Sequence, residues 1–303
     1  MGIKHTYQSG TANDAGKEVS STRWNEDHQI DGPVLFPASA DPTTPAANTA
    51  YLYFKNISGK MQPKVKGPAG LDFPLQAAFW QNNVAMWTPT AATSGIWLGT
   101  SGVGAGTYST GLPTTTNKYT STTRGRWANI ATTLNQVLGQ RNTQNMFYRG
   151  AGVGGGFFFY ARAGMDTWTN GGRFFAGMHS ATTVVSADPS ALNNTVGFCV
   201  DAADNGAISF LTRGTAATKA STGMTFTSNA GFDFFIFCKP GDTKYDWRII
   251  NINTGVEASG TATANLPTNT TIATAGVLAS NAALTTVTAI NLGVNRIYVE
   301  TDY

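Results

Sequence analysis

Glutamate is nearly missing from this chain: 303 residues hold four, Glu18, Glu26, Glu257 and Glu300. Charged residues of all kinds make up 12%, about half of the roughly 25% usual in soluble domains. Glycoside cleavage generally needs two facing carboxylates, one kept protonated. Between Glu26 and Glu257 only aspartates could supply them, with Asp166, Asp201, Asp204 and Asp233 as candidates. Asp204 and Asp188-Pro189 read as turn residues, and Asp201 and Asp233 as satisfied carboxylates at strand ends. Histidine is equally scarce: His5, His28 and His179 have no Cys or His partner at metal-ligand spacing, and no Gly-x-Ser-x-Gly elbow occurs. No enzyme, cofactor or metal site is expected.

Two cysteines, Cys199 and Cys238, each sit inside an apolar run. They are expected as reduced thiols packing like small hydrophobes. No apolar stretch approaches the ~20 residues that cross a bilayer as a helix. The opening Met1-Gly2-Ile3-Lys4 lacks the apolar segment of a secretion signal, so synthesis in a cytoplasm is expected. Net charge is +3, but there is no basic stripe of the kind that nucleic-acid binding requires. The glycine clusters Gly102–Gly106 and Gly150–Gly156 are not followed by helices, so they do not form phosphate loops.

What fills the sequence instead is Thr, Ser, Asn, Ala and 34 Gly, with 41% hydrophobic residues. That mixture favours β-structure over helical bundles. Residues 1–76 are broken by seven prolines and read as an extended arm that must order on a partner. Within it, 50–57 and 61–66 form a hairpin around Ser58-Gly59-Lys60. Pro63 cannot donate to a ladder, which puts the second run at an edge. Residues 77–145 read as a linker or oligomerisation region. There Trp127, Ile130, Leu134 and Val137, spaced 3, 4 and 3, predict an amphipathic helix over 127–138 ended by Gly139. A lone helical stripe needs a partner surface, so these four residues are candidates for an oligomer interface.

Residues 146–303 read as a jelly-roll-like β-sandwich. Eight strands are predicted: 156–163, 172–179, 195–202, 207–213, 231–239, 244–252, 271–279 and 289–300. Asp204-Asn205-Gly206 and Pro240-Gly241-Asp242 mark turns between them. Phe232 to Phe237 is largely apolar on both sides and is expected to be a central strand. Trp168, Tyr245 and Trp247 stand beside turns and are candidates for stacking on a receptor sugar, against the alternative of core packing.

Ile3-Lys4-His5-Thr6-Tyr7, followed by Trp24-Asn25-Glu26-Asp27-His28, resembles the N-terminal segment of tailed-bacteriophage tail and fibre proteins. There a W-N-x-x-H follows a short K-H-x-(F/Y) start. Leu52 to Gln76, with Ser58-Gly59-Lys60 and Gly67-Pro68-Ala69-Gly70-Leu71-Asp72, is similar to the continuation of that pattern. Asn265-Leu266-Pro267 and Ile297 to Tyr303 are similar to the closing strands of phage fibre head domains. The resemblance implies a virion structural protein, made in the host cytoplasm and commonly a homotrimer. His5, Trp24, Asn25, His28, Tyr51, Tyr53 and Phe54 would dock it on other virion proteins, and the sandwich would meet a host-surface receptor, a glycan above all. The alternatives are a purely architectural or capsid-decorating protein and a glycan-degrading tail enzyme.

Overall fold

The computed structural model describes residues 35–67, 72–74, 84–89, 100–103, 106–128, 136–142, 145–150, 155–180, 187–281 and 290–301. The chain divides into two units, Met1–Pro37 and Ala38–Tyr303. Of the first, only Leu35, Phe36 and Pro37 are described, so His5, Trp24, Asn25 and His28 lie outside the described residues.

Among the described residues, the second unit holds eighteen strands. They are β1 (Tyr51–Ile57), β2 (Lys60–Lys66), β3 (Asp72–Pro74), β4 (Val84–Trp87), β5 (Thr100–Val103) and β6 (Thr107–Gly111). Next come β7 (Arg124–Ala128), β8 (Val137–Asn142), β9 (Phe157–Thr167), β10 (Arg173–His179), β11 (Thr195–Val200) and β12 (Ala207–Arg213). The last six are β13 (Ala217–Thr225), β14 (Ala230–Cys238), β15 (Tyr245–Asn251), β16 (Glu257–Ala262), β17 (Thr274–Ser280) and β18 (Asn291–Glu300).

Two antiparallel sheets make the sandwich. One runs β13-β12-β11-β10-β17-β8-β5; the other runs β16-β15-β14-β9-β18-β7-β6, with β4 also paired to β18. Alternation explains the packing, because every second side chain of a strand faces the same side. Phe157, Phe159, Ala161, Ala163 and Met165 of β9 point inward with Phe232, Phe234 and Ile236 of β14. Across the gap they meet Phe174, Phe198 and Phe210, with the Phe198 and Phe234 rings 5.1 Å apart. Phe232 to Phe237 lies in β14 between β9 and β15, the central position its two-sided apolarity predicts. Cys199 and Cys238 are buried and unbridged, as expected.

All eight predicted strands of the C-terminal half are present within a few residues. Asn205 and Gly206 both adopt positive φ, 52° and 92°, after a 3-10 turn at Ala202–Asp204 that lengthens the expected tight connection.

Three expectations need correction. The helix over 127–138 does not form: Trp127 ends up in β7 and Val137 in β8, in opposite sheets. Ile130 and Leu134 lie outside the described residues. The 3, 4, 3 spacing spans two strands and the segment between them, and that geometry cannot place the four residues on one helical face. Trp127 instead packs inside its own chain, 2% exposed, with its ring 5.5 Å from Trp87 and 5.1 Å from Tyr108.

Residues 77–145 are no separate linker, since β4 to β8 supply strands to both sheets of the sandwich. The arm does not extend to residue 76 either, because the compact unit begins at Ala38.

The β1–β2 hairpin forms as read, with Ile57 opposite Lys60 and Phe54 opposite Pro63. Ser58 and Gly59 have φ of 50° and 91°, the paired positive values of the two-residue turn that suits strand twist. β2 is not a free edge along its whole length: β3 pairs with Lys64, Val65 and Lys66.

Candidate functional site

The outer face of the eight-stranded sheet carries the site, and strand register builds it. Asp233 of β14 lies opposite Arg162 of β9, which lies opposite Arg296 of β18. Next to that row, Phe235, Tyr160 and Tyr298 stand side by side, and then Phe237, Phe158 and Glu300. Met86 of β4 extends the middle row beyond Tyr298.

A β-bulge makes this grid possible. Leu292 and Val294 face the core, and so do Ile297 and Val299, which strict alternation forbids. The register shift between Val294 and Arg296 leaves Asn295 as the extra residue, and bulges of this kind re-aim the side chains that follow. The Asn295 amide donates to Thr122 Oγ1 (2.6 Å) and to the Thr123 carbonyl (3.0 Å). Arg296, Tyr298 and Glu300 consequently face outward while the core side stays apolar.

The same outer face is closed at one end. Gly231, Gly164 and Gly293 form the row beside Asp233, and Tyr119 lies over it. A Cβ at Gly293 would fall 2.0 Å from the Tyr119 hydroxyl, and one at Gly231 would fall 2.2 Å from its ring. Tyr119 Oη donates to Asp166 Oδ1 (3.0 Å), which also accepts from Arg124 Nε (2.7 Å), while Arg126 stands 3.1 Å from Oδ2. Asp166 is therefore consumed by a buried network that holds residues 112–123 to the sheet.

At the other end the β1–β2 hairpin covers the sheet. A Cβ on Gly59 would come 2.7 Å from the Phe237 ring. Lys60, 6% exposed, forms an ion pair with Glu300, itself 1% exposed, and its Nζ sits 5.5 Å from the centre of the Phe158 ring.

Between hairpin and sheet lies a groove of about 460 Å³, lined by Ile57, Gln62 and Lys64 above and by the aromatic and charged rows below. That volume falls in the roughly 300–1,000 Å³ range of small-molecule sites. The Tyr160 and Phe235 rings stack at 5.0 Å and 19° and are half-buried. Arg162 grips Asp233 through Nε (2.8 Å) and Nη2 (2.7 Å), and Tyr160 Oη donates to the same carboxylate (2.9 Å). The Tyr298 hydroxyl donates to Glu300.

These partners fix the protonation states. Burial, then the neighbouring Asp233 charge, raises the Tyr160 pKa well above its usual value. Burial pushes Tyr298 up to about 12. The Arg162 pKa is raised chiefly by its hydrogen bond to Asp233. Both phenols therefore remain donors near neutral pH, and the wall of the groove is a set of fixed hydrogen-bonding groups around an aromatic platform.

The sequence-derived candidates fall mostly elsewhere. Tyr245 and Trp247 are 2% and 5% exposed; Trp247 stacks on Phe210 at 5.4 Å inside the sandwich. Neither offers a ring face to a receptor, so the core alternative holds for both. Trp168 is half-buried against Phe226, 5.4 Å away. Tyr53 is buried and donates to Asp41 (3.3 Å), Phe54 is half-buried and Tyr51 exposed.

Asp201 and Asp204 are held together by Lys219 and by backbone N–H groups. Asp233 alone among the four aspartate candidates lines the groove. Tyr160, Phe235 and Tyr298 were missed, although a second face of Phe158-Tyr160-Arg162 and Arg296-Tyr298-Glu300 is visible in the alternation. Among the described residues no cluster of His, Cys, Asp and Glu could hold a metal ion.

No family model and no curated protein matches the sequence. Among solved structures, peanut lectin bound to a nine-residue peptide superposes with a TM-score of 0.50 at 8% identity, over 73% of this chain and 97% of the lectin. A protein of unknown function from Shewanella oneidensis MR-1 gives 0.49 at 12% identity, over 73% of this chain and 86% of that one. Arcelin-5, a lectin-like defense protein from Phaseolus vulgaris, gives 0.46 at 10%, over 73% of this chain and 99% of its own. The first marks a shared fold and nothing finer; the other two fall short even of that. The chain is a mainly β protein whose two-sheet sandwich is similar in shape to peanut lectin.

Proposed function

We propose that this protein binds glycans in the groove beneath the β1–β2 hairpin and serves as an attachment subunit of a tailed-phage particle. The groove carries the reading. The Tyr160 and Phe235 rings, stacked on each other at 5.0 Å, give the groove aromatic surface that suits the C–H face of a sugar ring, and Gln62, Tyr160, Arg162 and Tyr298 are placed to bond its hydroxyls. Both groove carboxylates already accept from cationic side chains, Asp233 from Arg162 and Glu300 from Lys60. That favours holding a sugar over cleaving it, because cleavage needs one carboxyl free to give up a proton.

The virion location rests on the resemblance of His5, Trp24, Asn25 and His28 to a phage docking segment, and residues 1–37 would carry the docking on other virion proteins. Assembly as a homotrimer belongs to the same reading, and solution mass tests it directly.

The decisive experiment displays the full chain against immobilised glycans and against host cells. Phe235→Ala, which removes one ring of the stacked pair without entering the inward core, is expected to weaken saturable binding at least tenfold. Unchanged binding would refute the groove; no binding by the parent protein would favour a purely architectural role. Release of sugar fragments, abolished by Asp233→Asn, would establish the enzymatic alternative. Removing residues 1–37 is expected to leave the sandwich folded and abolish incorporation into particles.

A further inference from the structure

The charges in the groove do not cancel. Asp233 is answered by Arg162 with two hydrogen bonds, and Glu300 is answered by Lys60 beneath the hairpin. Lys64 and Arg296 also line the groove. Lys64 lies over the Tyr53 ring at 5.6 Å and within electrostatic reach of Asp41, so part of its charge is met from the hairpin side. Arg296 is exposed, and its side chain makes no hydrogen bond or ion pair among the described residues.

Its position on the sheet is also electrostatically unfavourable. Arg296 stands directly opposite Arg162, and like charges facing each other across neighbouring strands repel. A hydrophobic partner or a neutral residue would fit the sheet better. Moreover, only the bulge at Asn295 turns Arg296 outward, into the row that ends the groove.

Taking the glycan reading of the groove as its basis, we infer that the site selects acidic sugars, with Arg296 as the specificity-determining residue that pairs with the sugar carboxylate. The guanidinium fork matches a carboxylate with two parallel hydrogen bonds, stronger than those of neutral groups. A sugar ring held along the Phe235–Tyr160–Tyr298 row with its rim toward Tyr298, which neighbours Arg296 in the grid, would bring a carboxylate to that fork, and the ligand's negative charge would relieve the repulsion with Arg162.

The test uses the full chain on an array of neutral, uronate-bearing and sialylated oligosaccharides. The best acidic ligand is then titrated in solution beside its carboxyl-reduced form. Arg296→Gln removes the charge and the guanidinium fork while keeping a shorter, polar, hydrogen-bonding side chain. The parent protein is expected to prefer the acidic ligand at least tenfold over the reduced one and to lose affinity for it as salt rises. Arg296→Gln is expected to erase that preference while binding the reduced ligand as the parent does.

Equal binding of both forms by the parent, or an acidic preference that survives in Arg296→Gln, overturns the selectivity and leaves the glycan groove standing. Loss of both ligands in Arg296→Gln, with the fold intact by circular dichroism, also overturns it, since the residue would then serve sugar binding in general. No binding to any member of the array overturns the groove itself.

Discussion

Replacing Lys60 by methionine should loosen the hairpin from the sheet, and the burial of its ion pair sets the size of the effect. The Lys60 and Glu300 side chains are 7% and 2% exposed, so little water can take over when one partner is lost. Breaking such a pair by removing one charge costs about 3–5 kcal/mol, chiefly through the charge left behind. For a chain of this length each kcal/mol lowers Tm by about 2 °C, which gives a drop of about 6–10 °C. Urea or thermal unfolding followed by tryptophan fluorescence reads it.

Lys60→Met combined with Glu300→Gln should recover most of the loss. The amide can still accept from Tyr298, and no buried charge is then uncompensated. A single variant within about 1 °C of the parent protein would refute the reasoning, because the hairpin would then not be clamped through this pair. A double variant no better than the single one would show that the loss comes from packing around the lysine stem.

Two further outcomes are expected. Burial opposes ionisation of Asp188, but the Ala202 N–H (3.1 Å) and Arg173 (2.5 Å) outweigh it and hold the carboxyl below its ordinary value. Its contribution to stability is thus present above the unfolded value of about 3.9 and lost as pH falls through the lower folded value. Asp188→Asn should flatten the decline of the urea midpoint below about pH 4, and parallel parent and variant curves would refute this. Cys199 and Cys238 are 0% and 1% exposed, and burial raises the Cys199 thiol pKa far above its usual value. An aromatic disulfide reagent should label neither thiol in the native protein and both in urea; rapid labelling of either one in the native state would contradict the structure.

The C-terminal strands were legible because their apolar residues alternate and turn residues separate them. β13 and β16 were not, since Ala217–Thr225 and Glu257–Ala262 are edge strands of Thr, Ala, Ser and Gly with little apolar alternation. In the middle region, Trp127 and Val137 imitate a helical stripe because spacing in sequence carries no record of which sheet a strand joins. The N-terminal hairpin was readable, but its partner was not: 51–66 lies on its own sandwich, through Gly59 against Phe237 and Lys60 paired with Glu300. The site was harder. Large aromatics beside turns, Tyr245 and Trp247, looked like ligand platforms and proved to be core. Tyr160, Phe235 and Tyr298 belong to strands far apart in the chain, and only sheet order with the one-residue bulge places them together.

The division of labour between alternate positions has a consequence for variation. On β9, β14 and the last stretch of β18, interior filling and surface chemistry are written into different letters of the same word. On the glycan reading proposed above, exchanges at 160, 162, 235, 296 or 298 would retune what the groove recognises without disturbing the aromatic interior. A deletion at Asn295 would leave that alternation standing, because Arg296 would then follow inward-facing Val294 directly; what it would take away is the bend and the bonds from the amide to Thr122 and Thr123.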